Sequence, residues 1–238
     1  MGSCTMYRAN KLVRSLLFTP ADRKSALEKA WANTALDVMV VDLEDAVKGT
    51  QKSKALGRQN LATFLEESEQ AVQRGVIRPN VVVRINCPNT SAFGKDDRKI
   101  LKGLRNVDAV LLPKADSATC IQEVAAQLQK PIWCMIETPR GVQRADALAA
   151  LPEVDCLVFG SNDLTKELQA TLVPVQRTPL LYAMSRVVLA ARAEGKLVVD
   201  GVFMDLSVSS DAQLRLECLQ GQRLGFDVFV GKLLIALN

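Results

Sequence analysis

Eight short apolar runs, separated by longer segments with apolar residues spaced three and four apart, constrain this chain more than any other feature. The runs are Leu16–Phe18, Val38–Leu43, Val81–Ile85, Ala109–Leu112, Ile132–Ile136, Cys156–Phe159, Leu197–Val199 and Val228–Val230. Between them, Leu27, Ala30 and Trp31, or Leu180, Ala183, Met184, Val187 and Ala191, fall on single helical faces. The runs are continuous rather than alternating, which is the pattern of parallel strands buried on both sides. Strand then helix, repeated over one domain length, predicts an α/β chain, and eight repeats predict a closed (β/α)8 TIM barrel occupying residues 1–238 as a single domain. The last repeat is short. Only Leu233–Asn238 follow the eighth run, too few for its covering helix, so the C-terminal helix after strand 8 is expected to be missing or truncated.

Composition narrows the chemistry. The net charge of +4 is modest and spread along the chain, which argues against nucleic acid as a partner. There is no histidine, and none of the six cysteines forms a C-x-x-C pair, which argues against zinc sites and histidine-based triads. Cys134 and Cys156 fall inside apolar runs, where a thiol serves as a small hydrophobe. No leader peptide and no apolar run approaching ~18 residues is present, so a cytoplasmic location without membrane attachment is expected. Carboxylates, lysines and arginines must then carry any catalysis.

Those residues gather at the ends of the runs. Asp42 and Arg84 stand at the last-but-one positions of their runs, and Lys114, Glu137, Asp163 and Asp200 follow theirs directly or within a few residues, whereas the starts are mostly neutral. In a parallel barrel all strand ends open on one face, so this distribution predicts a catalytic mouth there. Glu137 and Asp163 are about one strand–helix repeat apart, which places both acids at that mouth. Two readings of the pair stay open: a Mg²⁺-type cation between them, or a lysine or arginine partner for each. Asp42 and Glu44 share one side of an extended chain, and Asp45 faces the other. Arg84 is suited either to gripping a substrate carboxylate with its fork or to neutralising the Asp42/Glu44 group. Lys114 suggests Schiff-base chemistry, but the neighbouring acids would hold it charged, and a Schiff-base lysine must be neutral.

Taken together and in order, Arg14-Ser-Leu-Leu-Phe-Thr-Pro, Asp42-Leu-Glu-Asp-Ala-Val, Arg84-Ile-Asn, Leu112-Pro-Lys, Ile136-Glu-Thr, Phe159-Gly-Ser-Asn-Asp-Leu, Asp200-Gly-Val and Leu224-Gly-Phe with Gly231-Lys make a pattern that spans essentially the whole chain. It resembles the citrate lyase beta subunit-like group of the HpcH/HpaI aldolase/citrate lyase superfamily. The resemblance implies a TIM barrel and Mg²⁺-dependent cleavage or formation of a carbon–carbon bond. It further implies substrates that are citryl-, malyl- or citramalyl-type thioesters of coenzyme A or of a carrier protein.

By motif position, the resemblance assigns the metal to Glu137 and Asp163, and the 2-oxoacid or enolate end to Arg84. It places Arg14 near the coenzyme A or carrier arm. Asp42, Glu44 and Asp45 would order metal-bound waters and neighbouring side chains, with Asp42 and Asp45 counted among the catalytic groups. Glu44, Lys114 and Asn162 would contact substrate. A homo-oligomer, by analogy a trimer, is expected, with subunit contacts shielding the seam at strand 8. Two departures from the family pattern stand out: Ala21 replaces a glycine after the first motif, and Gly231-Lys-Leu-Leu-Ile-Ala-Leu-Asn238 replaces a Gly-Lys-x-x-Ile-His-Pro continuation and its helical tail. In the acyl-CoA lyases of the group that tail supplies a neighbouring subunit with an acid used in proton transfer. Two alternatives follow from these departures: a metal- and oxoacid-binding homologue with lost or altered turnover, and a metal-dependent aldolase acting on free 2-oxoacids.

Overall fold

A computed structural model of the chain describes residues 13–73, 78–171, 177–203 and 211–230. Each apolar run is a strand: β1 (Ser15–Pro20), β2 (Val38–Asp42), β3 (Asn80–Arg84), β4 (Ala109–Leu112), β5 (Ile132–Ile136), β6 (Val154–Phe159), β7 (Leu197–Val202) and β8 (Val228–Val230). All pair in parallel and in sequence order, and β8 returns to β1. The helices are α1 (Lys24–Trp31), α2 (Gln51–Gln73), α3 (Gly94–Leu101), α4 (Ala118–Leu128), α5 (Pro139–Gln143), α6 (Ala145–Ala149), α7 (Ser161–Glu167), α8 (Leu181–Ala193) and α9 (Asp211–Leu224).

The regular (β/α)8 TIM barrel expected from the sequence is corrected by this geometry. Seven strands, β1–β7, carry the sustained sheet, pairing over three to five residue positions at each step. Among the described residues the eighth is three residues long and is held by two registered positions on each side, Ser15↔Phe229 and Leu16↔Val230 against β1, Val199↔Val228 and Val202↔Val230 against β7. The register also shifts between Val199 and Val202. The one-helix-per-strand rule fails too, since among the described residues β5 is followed by α5 and α6, and β6 by α7 and α8. Counting apolar runs gives the number of strands but not the length of the ladder between them, which is where the expectation went wrong. The expectation concerning Leu233–Asn238 lies outside the described residues. Among the described residues, no helix is long and apolar enough to cross a membrane.

Alternation within the strands produces two cores. Leu16, Val38, Val40, Val82, Leu111, Trp133, Met135, Cys156 and Val158 fill the interior of the sheet, while Leu17, Met39, Val41, Val81, Val83, Val110 and Leu157 pack outward against the helices. Every residue of β2 and β5 is buried, so water is excluded from both faces. A polar side chain can therefore escape this sheet only at a strand end. Backbone bonds carry the ladder into the loops: Leu43 N–H donates to Arg84 O (2.9 Å), Ala115 N–H to Met135 O (3.0 Å) and Gly160 N–H to Ile136 O (3.0 Å). These bonds fix the directions in which the residues just beyond the strands leave the sheet.

Candidate active site

Asp42 and Arg84 stand opposite one another in the β2–β3 register, so their side chains meet at the same mouth. Asp42 is buried and accepts four hydrogen bonds: Arg84 Nε at 2.9 Å, Arg84 Nη2, Glu44 N–H at 2.8 Å and Ala46 N–H at 3.2 Å. The fork of Arg84 formed by Nε and Nη2 is thus already committed. Of the two readings that the sequence leaves open for Arg84, this geometry is that of the fork neutralising the acids after β2. Nη1 is the nitrogen left facing the mouth, 3.1 Å from Glu44 Oε2 and 3.7 Å from Met135 Sδ. The guanidinium also lies 5.0 Å from the ring centre of Phe18. Burial alone would lower the pKa of Arg84, but Asp42, Glu44 and Glu137 outweigh it and hold the arginine firmly charged.

Lys114 joins the remaining acids. It leaves β4 with φ 51°, a left-handed conformation that a non-glycine residue adopts only when its surroundings enforce it. That turn aims its backbone N–H at Glu137 Oε1 (2.8 Å). Its ammonium lies 3.2 Å from Glu44 Oε1 and 3.1 Å from Asp163 Oδ2. One residue therefore touches Glu44, Glu137 and Asp163. Burial would lower its pKa, yet the carboxylates of Glu44, Asp163 and Glu137 raise it above the ordinary lysine value. A lysine held charged in this way does not form a Schiff base.

Glu137 is 3% exposed and is pushed up to about 7, first by burial and then by the charge of Glu44. Glu44 is also raised, by burial and Asp45, against the pull of Arg84 and Lys114. Asp163 sits in the first turn of α7, where the helix N-terminus favours its negative charge. Gly160 makes room for this arrangement: a Cβ there would lie 2.4 Å from Glu137 Cβ and 2.8 Å from Glu137 Oε2.

The other expected residues lie apart. Arg14 precedes β1 and binds Asp37, which precedes β2, through Nη2–Oδ1 at 3.0 Å. It is therefore at the opposite end of the sheet from Glu137, and the expected place beside a thioester arm at the mouth is corrected. Asp45 is exposed and reaches the mouth only as one wall of a cavity of about 350 Å³ that also includes Glu44, Lys54, Asn86 and Lys114. Asn162 is exposed at the start of α7. Asp200 closes on Arg177 (2.8 Å) instead of joining the acids, so it is structural at this site. Lys54 and Arg58, which the sequence offers only as helical charges partly offsetting the acids after β2, are buried beside the mouth, as is Asp97, which the sequence does not single out. Their signal was present: Lys54, Arg58, Leu61 and Leu65 repeat at four, three and four along the buried stripe of α2.

A hard divalent cation fits these donors. The acids at the mouth offer only oxygen donors, burial pushes the carboxyls of Glu137 and Glu44 up, and Lys114 is the cation that now lies between Glu44 and Asp163. Among the described residues no cluster of three or more acids, cysteines or histidines is arranged around one metal position. Mg²⁺ needs no such cluster, because it is commonly held by one or two carboxylates with water and substrate completing its shell. Glu137 and Asp163 would supply the two.

Comparison with known proteins gives one consistent picture. The family model described as HpcH/HpaI aldolase/citrate lyase matches residues 14–234. A (3S)-malyl-CoA thioesterase from Cereibacter sphaeroides is 38% identical over 223 residues, covering 93% of this chain and 72% of that protein. A citrate lyase beta subunit from M. tuberculosis complexed with oxaloacetate and magnesium is 30% identical, with a TM-score of 0.74 over 91% of this chain and 90% of that one. A structure of the CitE protein of Mycobacterium tuberculosis with magnesium, acetoacetate and coenzyme A gives 30% identity and a TM-score of 0.74, covering 92% and 75%.

Proposed function

From the HpcH/HpaI aldolase/citrate lyase family, to which this chain belongs, we propose a magnesium-dependent carbon–carbon lyase that cleaves a citryl-, malyl- or citramalyl-type thioester. The observation that carries this reading is the convergence of Arg84, Glu44, Lys114, Glu137 and Asp163 at one mouth. Magnesium complexes of similar proteins support the cofactor, and the coenzyme A complex supports a thioester substrate. Mg²⁺ bound by Glu137 and Asp163 would act as a Lewis acid on the oxygens of the oxoacid portion.

Cleavage breaks the bond between the carbon bearing the hydroxyl and the carbon next to the thioester. The hydroxyl loses its proton and becomes the carbonyl of a 2-oxoacid, while the bond's electron pair forms the thioester enolate, which takes up a proton. Negative charge thus appears on two oxygen atoms, and this site offers two fixed cations. Arg84 Nη1 faces the oxoacid end, with the rest of its guanidinium immobilised by Asp42, so no reorganisation is needed as charge develops. Lys114, held cationic by its acids, balances the second oxygen. Asp42 accepts four hydrogen bonds and is suited to orienting Arg84, not to moving a proton.

The similarity to a malyl-CoA thioesterase favours a second reading, hydrolysis of the thioester with the carbon skeleton left intact. Product analysis separates the two. Malyl-, citramalyl- and citryl-coenzyme A are incubated with the protein in Mg²⁺ or in EDTA. A lyase releases a 2-oxoacid and an acyl thioester without free thiol; a thioesterase releases free coenzyme A thiol and the hydroxyacid. Magnesium-dependent oxoacid release is expected, and the absence of any turnover across the panel would refute both readings. Proposed along with this activity, from family likeness, is a homo-oligomer, which light scattering would check.

A further inference from the structure

We infer that Lys54 and the Asn86–Asp97 pair are positioning residues that hold Glu44, and through it Arg84, in place at the mouth. The assignment rests on the reading that Arg84 and Glu44 receive the oxoacid end of the substrate. Lys54 projects from α2 with 4% of its surface exposed, and its ammonium donates to two backbone carbonyls, Leu43 O at 2.7 Å and Glu44 O at 2.6 Å. No ion pair within 4 Å joins this ammonium to a described carboxylate; the Phe93 ring lies 5.8 Å away. Asn86 Nδ2 donates to the same Leu43 O at 2.9 Å and to Asp97 Oδ2 at 2.7 Å. Asp97, fully buried on α3, also accepts from Asn86 N–H at 2.8 Å, and its second oxygen accepts from Arg58 Nη1 at 3.0 Å.

The residues being pinned are those between Asp42 and Glu44. Leu43 O receives Lys54 Nζ and Asn86 Nδ2, Leu43 N–H is bound to Arg84 O, and Glu44 O receives the same Lys54 ammonium together with Val47 N–H at 3.1 Å. Asp42 and Glu44 flank this peptide and are the two carboxylates that contact Arg84. The direction of the Glu44 side chain, and with it the distance to Arg84 Nη1 and Lys114 Nζ, follows from where its own carbonyl is tied.

Cost argues in the same direction. A lysine buried against carbonyls is depressed by burial, a penalty that the nearby charges of Asp42 and Asp97 only partly offset. An apolar residue on this stripe of α2 would fill the space more stably if packing were all that was required. The ammonium supplies what an apolar side chain cannot, one group that bonds both carbonyls at once and so joins the Leu43 carbonyl, held also by Asn86 Nδ2, to the Glu44 carbonyl, held also by Val47 N–H, just where β2 has ended. The helices α2 and α3 are thereby tied to the site by polar contacts as well as by packing.

The test uses the full chain and two variants. Lys54→Met keeps the length of the stem and removes the donors; Asp97→Asn keeps the shape and removes the charge that orders Asn86 and Arg58. The first readout needs no ligand: the Arg84 Nε–H resonance in ¹⁵N-labelled protein, assigned by its loss in Arg84→Lys. It is expected to shift or broaden in both variants while their melting transitions remain cooperative. The second is calorimetric binding of oxaloacetate in Mg²⁺, expected to weaken about tenfold in Lys54→Met. In a double-mutant cycle with Glu44→Gln, the two losses should fail to add, because both act through Glu44. Additive losses overturn the assignment, as does an unchanged Arg84 resonance in the folded variants, whether or not wild type binds the oxoacid. Wild-type protein that binds no oxoacid while the resonance moves refutes the function proposed above and leaves the positioning intact. If Lys54→Met does not fold, Asp97→Asn decides; if neither folds, the network is a folding determinant and the assignment is overturned.

Discussion

Replacing Glu137 by glutamine should stabilise the metal-free protein above neutral pH while abolishing most of its affinity for Mg²⁺. The carboxyl is held at about 7 against an ordinary 4.5, chiefly by burial and by Glu44. Below the lower value both folded and unfolded chains carry the proton, so the group contributes nothing. As pH rises from there to about 7, the unfolded chain releases the proton and the folded one keeps it, so folding loses stability across this window. Above the window the penalty is constant, at most about 3 kcal/mol from a difference of this size. Glutamine keeps the volume and retains an oxygen for the Lys114 N–H, but has no charge to desolvate. Melting in EDTA should therefore place the variant above wild type by up to about 6–12 °C at pH 8, using ~2–4 °C per kcal/mol for a domain of this size. The difference should vanish near pH 4.5, and excess Mg²⁺ should reverse the order at pH 8 by stabilising wild type alone. A variant less stable than wild type at pH 8 in EDTA, or one whose pH profile runs parallel to it, would refute the reasoning.

Asp163→Asn should lower Mg²⁺ affinity by about 100-fold or more, since even partners outside the ligand shell are worth roughly 10–100-fold. Its side chain is 32% exposed, so little change in metal-free melting is expected, and calorimetry showing wild-type affinity would remove it from the ligand set. Arg84→Lys keeps the charge but loses the fork on Asp42, so oxaloacetate affinity should fall about tenfold or more, with a stability loss of ~1–3 kcal/mol. Equal binding of oxoacid by both proteins would exclude Arg84 from the substrate site. Gly160→Ala puts a methyl group against Glu137, so a cost of roughly 1–3 kcal/mol by denaturation, together with weakened Mg²⁺ binding, is expected. An alanine variant with unchanged Mg²⁺ affinity would show that Glu137 need not stay where it packs.

The strands were legible because burial on both sides leaves a direct compositional mark. Val38–Val41 and Ile132–Ile136 contain only apolar residues and cysteine, and a run of that length bounded by polar loops suits a strand covered on both faces. Other features left no such mark. The register shift between Val199 and Val202, where β7 meets β8, is a property of backbone geometry. Asp22 is a residue type suited to capping, yet α1 begins at Lys24, with Arg23 at the capping position and no side-chain cap hydrogen bond. Ser117 and Thr138, by contrast, do cap α4 and α5.

At the mouth, the sequence showed which residues arrive but not what they do to one another. Alternation placed Asp42 and Arg84 on the inner side of neighbouring strands, and the register then made them partners, which diverted the arginine fork from substrate to protein. A single strand's pattern carries no information about its neighbour's register, so the sequence offers this pairing only as one of two readings for Arg84. The lysines that follow the acidic loop divide for a related reason. Charge after an acidic loop suggests a solvated counterweight, and Lys48 and Lys52 are indeed exposed. Lys54 differs only in helical phase, sharing its face with Leu61 and Leu65 and so turning inward toward carbonyls at the end of β2. A charged residue on an apolar stripe is costly unless it is bonded, and at the rim of a catalytic face the available bonds are to the loops that carry the reacting groups. Helical phase is therefore the informative signal here, because it separates a lysine that balances charge in solvent from one that fixes the position of a carboxylate.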